Sequence, residues 1–469
     1  MIKSPRGTRD LLPPDTALWN FVEAAVRDVF RAYNFHEIRT PIFESTELFA
    51  RSVGEETDIV SKEMFTWQDR GGAESDTIAS MKDIVDSWFL SGQLSMEKAV
   101  DSIAAIEKLK REGKWDFMRG QSLTLRPENT AGVVRAYIEH KLWDRGLNKL
   151  FYIGPQFRRE RPQKGRYRQF YQIGAEIIGP AAAGSQSPAR DAELLELLAT
   201  LLDRVGVANW TLELNSVGCP ADRIKFNEAL RQALAPAVGK MCGDCQRRAV
   251  TNPLRVFDCK VPEDQPIIAT LPTISQFLDE DCRSHFAEVK SILDAVQIPY
   301  VENPRLVRGL DYYTRTAFEF THGALGAQNA ILGGGRYDGL SESLGGPAAP
   351  GIGFAIGEDR LVLSLSATAT AESVVRKPDV YVAPLGAGMN REAARVAREL
   401  RRHDLVVELG DESFRLKKSF EAAAKIGARY ILIVGENEVA ADAFALKHLA
   451  SGEQVTVPRG ELAQRILLK

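Results

Sequence analysis

The sequence predicts an α+β protein, an antiparallel-sheet core interrupted by inserted helical segments and followed by a small α/β domain. Three observations predict it. Residues 157–176, FRRERPQKGRYRQFYQIGAE, read as a β-hairpin, with aromatic and β-branched residues at strand spacing on both arms and Pro162 and Gly165 breaking the run between them. Residues 219–302 carry helical patterns and loops (IKFNEALRQAL, ISQFLDEDCRSHFAEVKSILDAV) without strand alternation. Residues 379–469 alternate strand-like runs (VYVAPL, VVELG, YILIVG, EQVTVP) with helical ones, the pattern of an α/β unit with a largely parallel sheet. At 469 residues the chain exceeds what one core organises.

Taken in order, PRGTRDLLPPD leads into a helix over 15–33, with Trp19, Val22, Val26, Val29 and Phe30 on one stripe. FHEIRTPIFE follows as a strand, and Pro41, which has no N–H, confines it to an edge or to a place where the missing donor is not needed. MFTW and SLTL read as two strands, and residues 71–120 between them as an insertion. In the insertion Ile78, Met81, Val85, Trp88 and Phe89 recur at helical spacing, and Val100, Ile103, Ile106 and Leu109 do so after Ser91-Gly92. This predicts a helical hairpin grafted onto a strand pair, with Asp69 close to Gln121 across its base. LTLRPENT then places the Glu128 carboxylate and the Thr130 hydroxyl just past a strand. Such a pair can accept hydrogen bonds from a substrate ammonium, or Thr130 can cap the helix AGVVRAYIEH.

After the hairpin come a polar loop, an amphipathic helix and the strand WTLELNSVGC, then the helical segment 219–302. LVRGLDYYTRTAFEF sets Arg308, Asp311, Tyr312 and Tyr313 around Gly309 in a strand-forming run. ILGGGRYDGL reads as a glycine-rich turn whose three glycines allow close backbone approach, and GIGFAIGEDRL as a glycine-bearing strand with Arg360 on the helix after it. Residues 366–378 are small, polar and unpatterned, a linker. Arg395, Arg398 and Arg402 share a helical face that reads as solvated.

Composition narrows the function classes. With 60 basic and 63 acidic residues the net charge is -3, so any nucleic-acid contact must use local patches. No apolar run reaches the length of a membrane span and the first residues lack the apolar core of a signal peptide, so the expected location is the cytoplasm. Cys242 and Cys245 form a CxxC, with Cys219 before and Cys259 after. A single CxxC without a nearby histidine assigns no metal ligand, and whether these four thiols hold an ion is left open.

The hairpin concentrates the chemistry. Arg158, Arg159, Arg161, Lys164, Arg166 and Arg168 stand against one acid, Glu160, while Phe170, Gln172, Gly174 and Glu176 share a strand face. Arginines clamp phosphates bidentately, and an aromatic ring stacks on a base. This hairpin resembles motif 2 of the class II aminoacyl-tRNA synthetases, and within them the histidyl-tRNA synthetase family. The Pro41 segment resembles motif 1, the family's dimer-forming element; GIGFAIGEDRL resembles motif 3; and LVRGLDYYTRTAFEF is the stretch most diagnostic of the histidine enzymes.

The resemblance implies a class II catalytic domain over 1–365, carrying the 71–120 insertion and an inserted helical domain at 219–302, and an anticodon-binding domain over 379–469. It implies activation of L-histidine by ATP with Mg2+, transfer to tRNA-His, and a homodimer. Arg158 and Arg308 become the catalytic residues. Histidine falls to Glu128, Asn129, Thr130, Arg158, Gln172, Glu176, Arg308, Tyr312 and Tyr313, ATP to Arg158, Glu160, Arg166, Phe170 and Arg360, and the tRNA to Gln163 and Lys164. Asn129 departs from the family's usual glycine. A regulatory paralogue without activity typically lacks the C-terminal domain and has a degraded RGLDYY segment; both are present here.

Overall fold

The computed structural model describes residues 2–54, 57, 59–69, 121–162, 165–308, 312–323, 329–365 and 374–468. The expected insertion at 71–120, the hairpin-tip residues Gln163 and Lys164, Asp311, and most of the linker lie outside the described residues. Contacts divide the chain into two compact units, Met1–Ala371 and Glu372–Lys469.

The first unit holds β1 (His36–Glu37), β2 (Phe43–Ser45), β3 (Phe65–Gln68), β4 (Ser122–Leu125), β5 (Asn148–Phe157), β6 (Gln169–Ile178), β7 (Trp210–Ser216), β8 (Val301–Glu302), β9 (Thr314–His322), β10 (Ala330–Arg336) and β11 (Gly351–Gly357). Eight of them form one sheet in the order β1-β5-β6-β11-β10-β9-β7-β8, antiparallel throughout except for the short edge pairs β1/β5 and β7/β8. The expected hairpin is β5–β6, paired from Asn148↔Ile178 to Phe157↔Gln169.

The sheet has two unlike faces. Phe151, Ala175, Phe354, Gly334 and Phe318 lie in one cross-strand row on the back. The leading helix, Asp15–Ala32, buries Leu18, Trp19, Val22, Val26, Val29 and Phe30, and sets the Phe30 ring 4.9 Å from Phe151 and 6.1 Å from Phe354. Burying a side chain of that size is worth roughly 1.5–3 kcal/mol relative to leaving it exposed, so the helix stripe fixes which face is core. The helix Pro188–Val205 also packs behind the sheet, where Asp191 meets Thr316 (2.6 Å) and the fully buried Arg336. The front face is left for the site.

Two elements differ from the sequence reading. FHEIRTPIFE is two short strands rather than one, because the chain leaves the large sheet after Glu37 and joins a three-stranded sheet, β2-β4-β3, at Phe43. Between them the carbonyls of Thr40 and Pro41 accept hydrogen bonds from Arg126 (3.0 and 3.3 Å) instead of from a ladder partner. ILGGGRYDGL is not a turn: Gly333, Gly334 and Gly335 sit in the middle of β10, between β9 and β11. Glycine weakens a strand unless something needs the space of its missing side chain, and here both faces need it.

On either side of the expected insertion, β3 and β4 pair antiparallel out to Gln68↔Ser122, and the Asp69 N–H donates to the Gln121 carbonyl at 2.9 Å, the predicted adjacency. The segment after β7 forms the helices Pro220–Leu234, Gly243–Thr251 and Gln265–Ala269 around its own apolar cluster, from Phe226 to Cys282. The helix Glu280–Ala295 then packs against Pro188–Val205, with the His285 imidazole 2.8 Å from the Asp191 carboxylate.

The second unit contains β12 (Val380–Leu385), β13 (Val407–Leu409), β14 (Tyr430–Gly435), β15 (Ala443–His448) and β16 (Gln454–Pro458) in the order β13-β12-β14-β15-β16. The first three are parallel and the last two antiparallel, so the sheet is mixed rather than largely parallel. The strand AFALKH had no sequence signal: alanines beside a single leucine fit a helix as well. Among the described residues no helix is long and apolar enough to cross a membrane.

Candidate functional site: a glycine-floored cleft on the front face

Residues paired across an antiparallel sheet share a face, so the register alone builds the floor of the site. One row runs Tyr152, Gly174, Ala355, Gly333, Glu319, and the next runs Leu150, Glu176, Gly353, Gly335, Ala317. Four adjacent strands thus present glycine or alanine to the front, and larger side chains from either end lie flat over them. A Cβ on Gly174 would strike the Tyr152 ring, one on Gly353 the Glu176 carboxylate, and one on Gly335 the Tyr313 ring at 2.8 Å. One on Gly333 would sit 2.5 Å from the Arg308 guanidinium. None of these four needs a left-handed backbone; each is needed for close approach.

At one end the floor meets the LTLRPENT segment. Glu128 is the helix cap: its two carboxylate oxygens accept the backbone N–H groups of Thr130 (2.8 Å) and Ala131 (3.0 Å). Thr130 is therefore the first helical residue, and its hydroxyl donates to Glu176 at 2.7 Å. Asn129 has φ -122°, so no left-handed conformation is required there; its Oδ1 accepts from Thr40 and Arg126, and its Nδ2 is buried without a partner. The second Glu176 oxygen is also buried without a partner, as are Gln172 Oε1, both amide atoms of Gln156 and the hydroxyls of Tyr152 and Tyr337. Native interiors pair such groups, and a cluster of unpaired ones on the front face marks where a polar ligand docks.

Protonation follows from burial. Desolvation raises Glu176 to about 8, with the Thr130 hydrogen bond and the nearby Tyr337 hydroxyl opposing the shift and the Glu128 carboxylate adding to it. Glu128 is raised for the same reason, against the pull of its two backbone N–H donors and of Arg158. Burial likewise pushes Tyr152, Tyr312 and Tyr337 well above the usual phenol value and Tyr313 to about 12. All four tyrosines therefore remain protonated donors. The Tyr312 and Tyr313 rings are 4.8 Å apart, and Tyr312 lies edge-on to Tyr337 at 6.0 Å.

The other end is cationic. Arg158, Arg166, Arg308 and Arg360 line a cavity of about 250 Å³ together with Phe170, Gln172, Glu160 and Glu319. Arg158 ties the two ends together: its Nε donates to the Pro127 carbonyl at 2.9 Å while its guanidinium lies 5.3 Å from the Phe170 ring centroid. Glu160 pairs with Arg166 (3.2 Å), and Glu319 with Arg308. Glycines let the strand approach here too, since a Cβ on Gly154 would meet Arg126 at 2.7 Å.

The structure thus brings Arg158, Glu160, Arg166, Phe170, Gln172, Arg308 and Arg360 around one cavity, and Glu128, Thr130, Glu176, Tyr312 and Tyr313 beside it. Sequence reasoning missed Tyr152, Gln156, Tyr337, Glu319 and Arg126. Tyr152, Gln156 and Glu319 are marked only by cross-strand pairing with residues already singled out, which needs the register, and Arg126 and Tyr337 lie just past strand ends without even that signal.

Comparison with known proteins agrees with this geometry. The family model described as histidyl-tRNA synthetase matches residues 114–361, and the one described as anticodon binding domain matches 379–468. The chain is 65% identical over 464 residues to a protein of Koribacter versatilis named histidine–tRNA ligase, covering 99% of this chain and 95% of that one. It is 53% identical over 468 residues to one of the same name from Solibacter usitatus, covering 99% of both. The crystal structure of apo S. aureus histidyl-tRNA synthetase superposes with a TM-score of 0.73 at 33% identity, covering 99% of this chain and 100% of that one.

Proposed function

The chain belongs to the histidyl-tRNA synthetase family, and we propose that the glycine-floored cleft carries out both steps of its chemistry. The protein is a histidine–tRNA ligase of class II. In the first step the histidine carboxylate attacks the α-phosphorus of ATP and pyrophosphate leaves; in the second a hydroxyl of the 3′-terminal adenosine of tRNA-His attacks the acyl carbon of the adenylate and AMP leaves. Neither step needs a nucleophilic side chain. The work is positioning and charge neutralisation.

One observation carries the assignment of roles: a single cleft has four guanidiniums at one end and a buried, half-unpaired carboxylate ringed by tyrosine hydroxyls at the other. Arg158 holds the substrate carboxylate and the α-phosphate, Arg308 approaches that phosphate from the other side, and Arg166 meets the γ-phosphate. Phe170 and Arg360 hold the adenine. Glu128 and Thr130 receive the α-ammonium, and Asn129, whose Nδ2 has no partner, holds its loop beside them. Glu176, Tyr312, Tyr313 and Gln172 address the imidazole. A site built to hydrogen-bond its substrate rejects analogues lacking the group by roughly 10⁴–10⁵, which makes a separate editing site unnecessary. Glu160 and Glu319, hard oxygen donors on the cleft, suit a Mg2+ that neutralises phosphate charge when nucleotide is bound.

Gln163 and Lys164 at the hairpin tip contact the tRNA acceptor end, and residues 379–469 its anticodon. The protein works as a homodimer joined through the Pro41 segment, in the cytoplasm; a monomer mass in light scattering at micromolar concentration would contradict the dimer. Histidine-dependent exchange of pyrophosphate into ATP, followed by charging of tRNA-His, tests the whole reading. Exchange supported equally by other amino acids, or none with histidine, would overturn it.

A further inference from the structure

The helical segment after β7 gathers three of the five cysteines, none of them in a disulfide, at one point. Cys242 starts the helix Gly243–Thr251, Cys245 is one turn into it, and Cys259 and Asp264 come from the loop that follows. One ligand atom from each of the four lies within 4.8 Å of the other three. The Cys242 and Cys259 sulfurs are 3.9 Å apart. That is far beyond a disulfide bond and close to the edge of about 3.8 Å between two sulfurs on a tetrahedral zinc ion with Zn–S bonds of about 2.3 Å.

Backbone donors face two of the sulfurs. The Cys245 N–H points at the Cys242 sulfur and the Val261 N–H at the Cys259 sulfur, each at 3.4 Å, so both sulfurs are hydrogen-bond acceptors. The Asp264 carboxylate is 99% shielded from solvent, receives the Cys242 N–H at 3.1 Å and lies 3.2 Å from the Cys259 sulfur. Backbone donors to the ligating sulfurs and a fixed carboxylate are the supporting interactions that orient ligands around a metal.

We propose that Cys242, Cys245, Cys259 and Asp264 form a structural zinc site that clips the Gly243–Thr251 helix to the 259–264 loop. The donor set, three soft thiolates and one carboxylate closing a tetrahedron with no position left for substrate, selects zinc over magnesium or calcium. The need is structural. The segment's helices are short, and helices of this length are marginal unless packed or stapled. Its second cysteine–aspartate group, Cys219, Asp222, Asp279 and Cys282, offers two sulfurs rather than three. There Asp222 accepts the N–H groups of Cys219 (3.2 Å) and Asp279 (3.0 Å) and Asp279 that of Cys282 (2.7 Å), so the carboxylates cap two helix starts.

The test is metal analysis of the full-length protein, grown with zinc and purified without chelator. About one zinc per chain should survive gel filtration and be released by a mercurial reagent. Cobalt added to the zinc-depleted protein should give the thiolate-to-metal charge-transfer bands and intense visible absorption of a tetrahedral sulfur site. Cys259→Ser should lose the zinc, and Cys219→Ser should keep it. A wild-type protein that is folded and free of zinc, and takes up cobalt with only a weak octahedral spectrum, overturns the proposal whether or not Cys259→Ser folds. So does zinc that follows Cys219 instead of Cys259.

Discussion

Glu176→Gln separates the two consequences of burying a carboxyl in the cleft. In the wild type one oxygen holds the Thr130 hydroxyl at 2.7 Å and the other is buried over Gly353 without a partner. Glutamine keeps an oxygen for Thr130 but has no proton to pass to the imidazole, so the charge-assisted bond of an imidazolium–carboxylate pair becomes a neutral one. Such bonds are worth about 1.5–3 kcal/mol, and at about 1.36 kcal/mol per tenfold, kcat/KM for histidine in pyrophosphate exchange should fall by about 10- to 150-fold. The stability change runs the opposite way. The carboxyl titrates at about 8 folded against 4.5 unfolded, so between those values the folded state binds more protons and stability falls as pH rises, by about 1.4 kcal/mol per unit. Glutamine lacks that loss. Ligand-free Glu176→Gln should therefore melt progressively higher than wild type between about pH 5.5 and pH 8, with the gap levelling off above that. Unchanged kcat/KM for histidine would refute the substrate contact, and melting curves that stay parallel across this window would refute the burial argument.

Three further outcomes are expected. Gly333→Ala places a methyl 2.5 Å from the Arg308 guanidinium and should lower kcat for adenylate formation by about 10²–10³, the range seen on losing one transition-state donor, with the circular-dichroism spectrum unchanged; full activity would remove Arg308 from the reaction. Gln163→Ala should slow tRNA charging while leaving pyrophosphate exchange intact, and equal damage to both would assign the hairpin tip to ATP. Replacing residues 71–120 by a short glycine-containing turn should leave adenylate formation within a few-fold of wild type, since the Asp69–Gln121 hydrogen bond already closes the stem; a folded deletion variant without exchange activity would show that the insertion completes the active site.

What the sequence revealed depended on whether a residue's neighbours along the chain were also its neighbours in space. The β5–β6 hairpin, the Asp15–Ala32 stripe and the Glu358–Leu365 helix with Arg360 are local, and their patterns were legible. The role of Gly333–Gly335 was not. A run of glycines reads as a breaker, and only the pairing of β10 with β9 and β11 shows that Arg308, Phe318 and Tyr313 need the room. The cap of the Thr130–Glu139 helix was ambiguous for a similar reason. A cap by the Thr130 hydroxyl was one of two readings, whereas the carboxylate two residues back takes the N–H groups of Thr130 and Ala131 and leaves that hydroxyl for Glu176. Tyr152 and Gln156 gave no signal because neither stands beside a charged residue in the chain.

The bare floor of the cleft also constrains how this enzyme can change. Every missense mutation of a glycine codon adds at least a methyl group, so at Gly174, Gly333, Gly335 and Gly353 the gentlest replacement already collides with Tyr152, Arg308, Tyr313 or Glu176. At Gly174, Gly335 and Gly353 that methyl also meets a backbone carbonyl, so these three have no neutral neighbours in sequence space. Adaptation to an altered amino acid must therefore proceed through the side chains that lie over the floor, which can be trimmed or exchanged one at a time while the strands beneath them stay as they are.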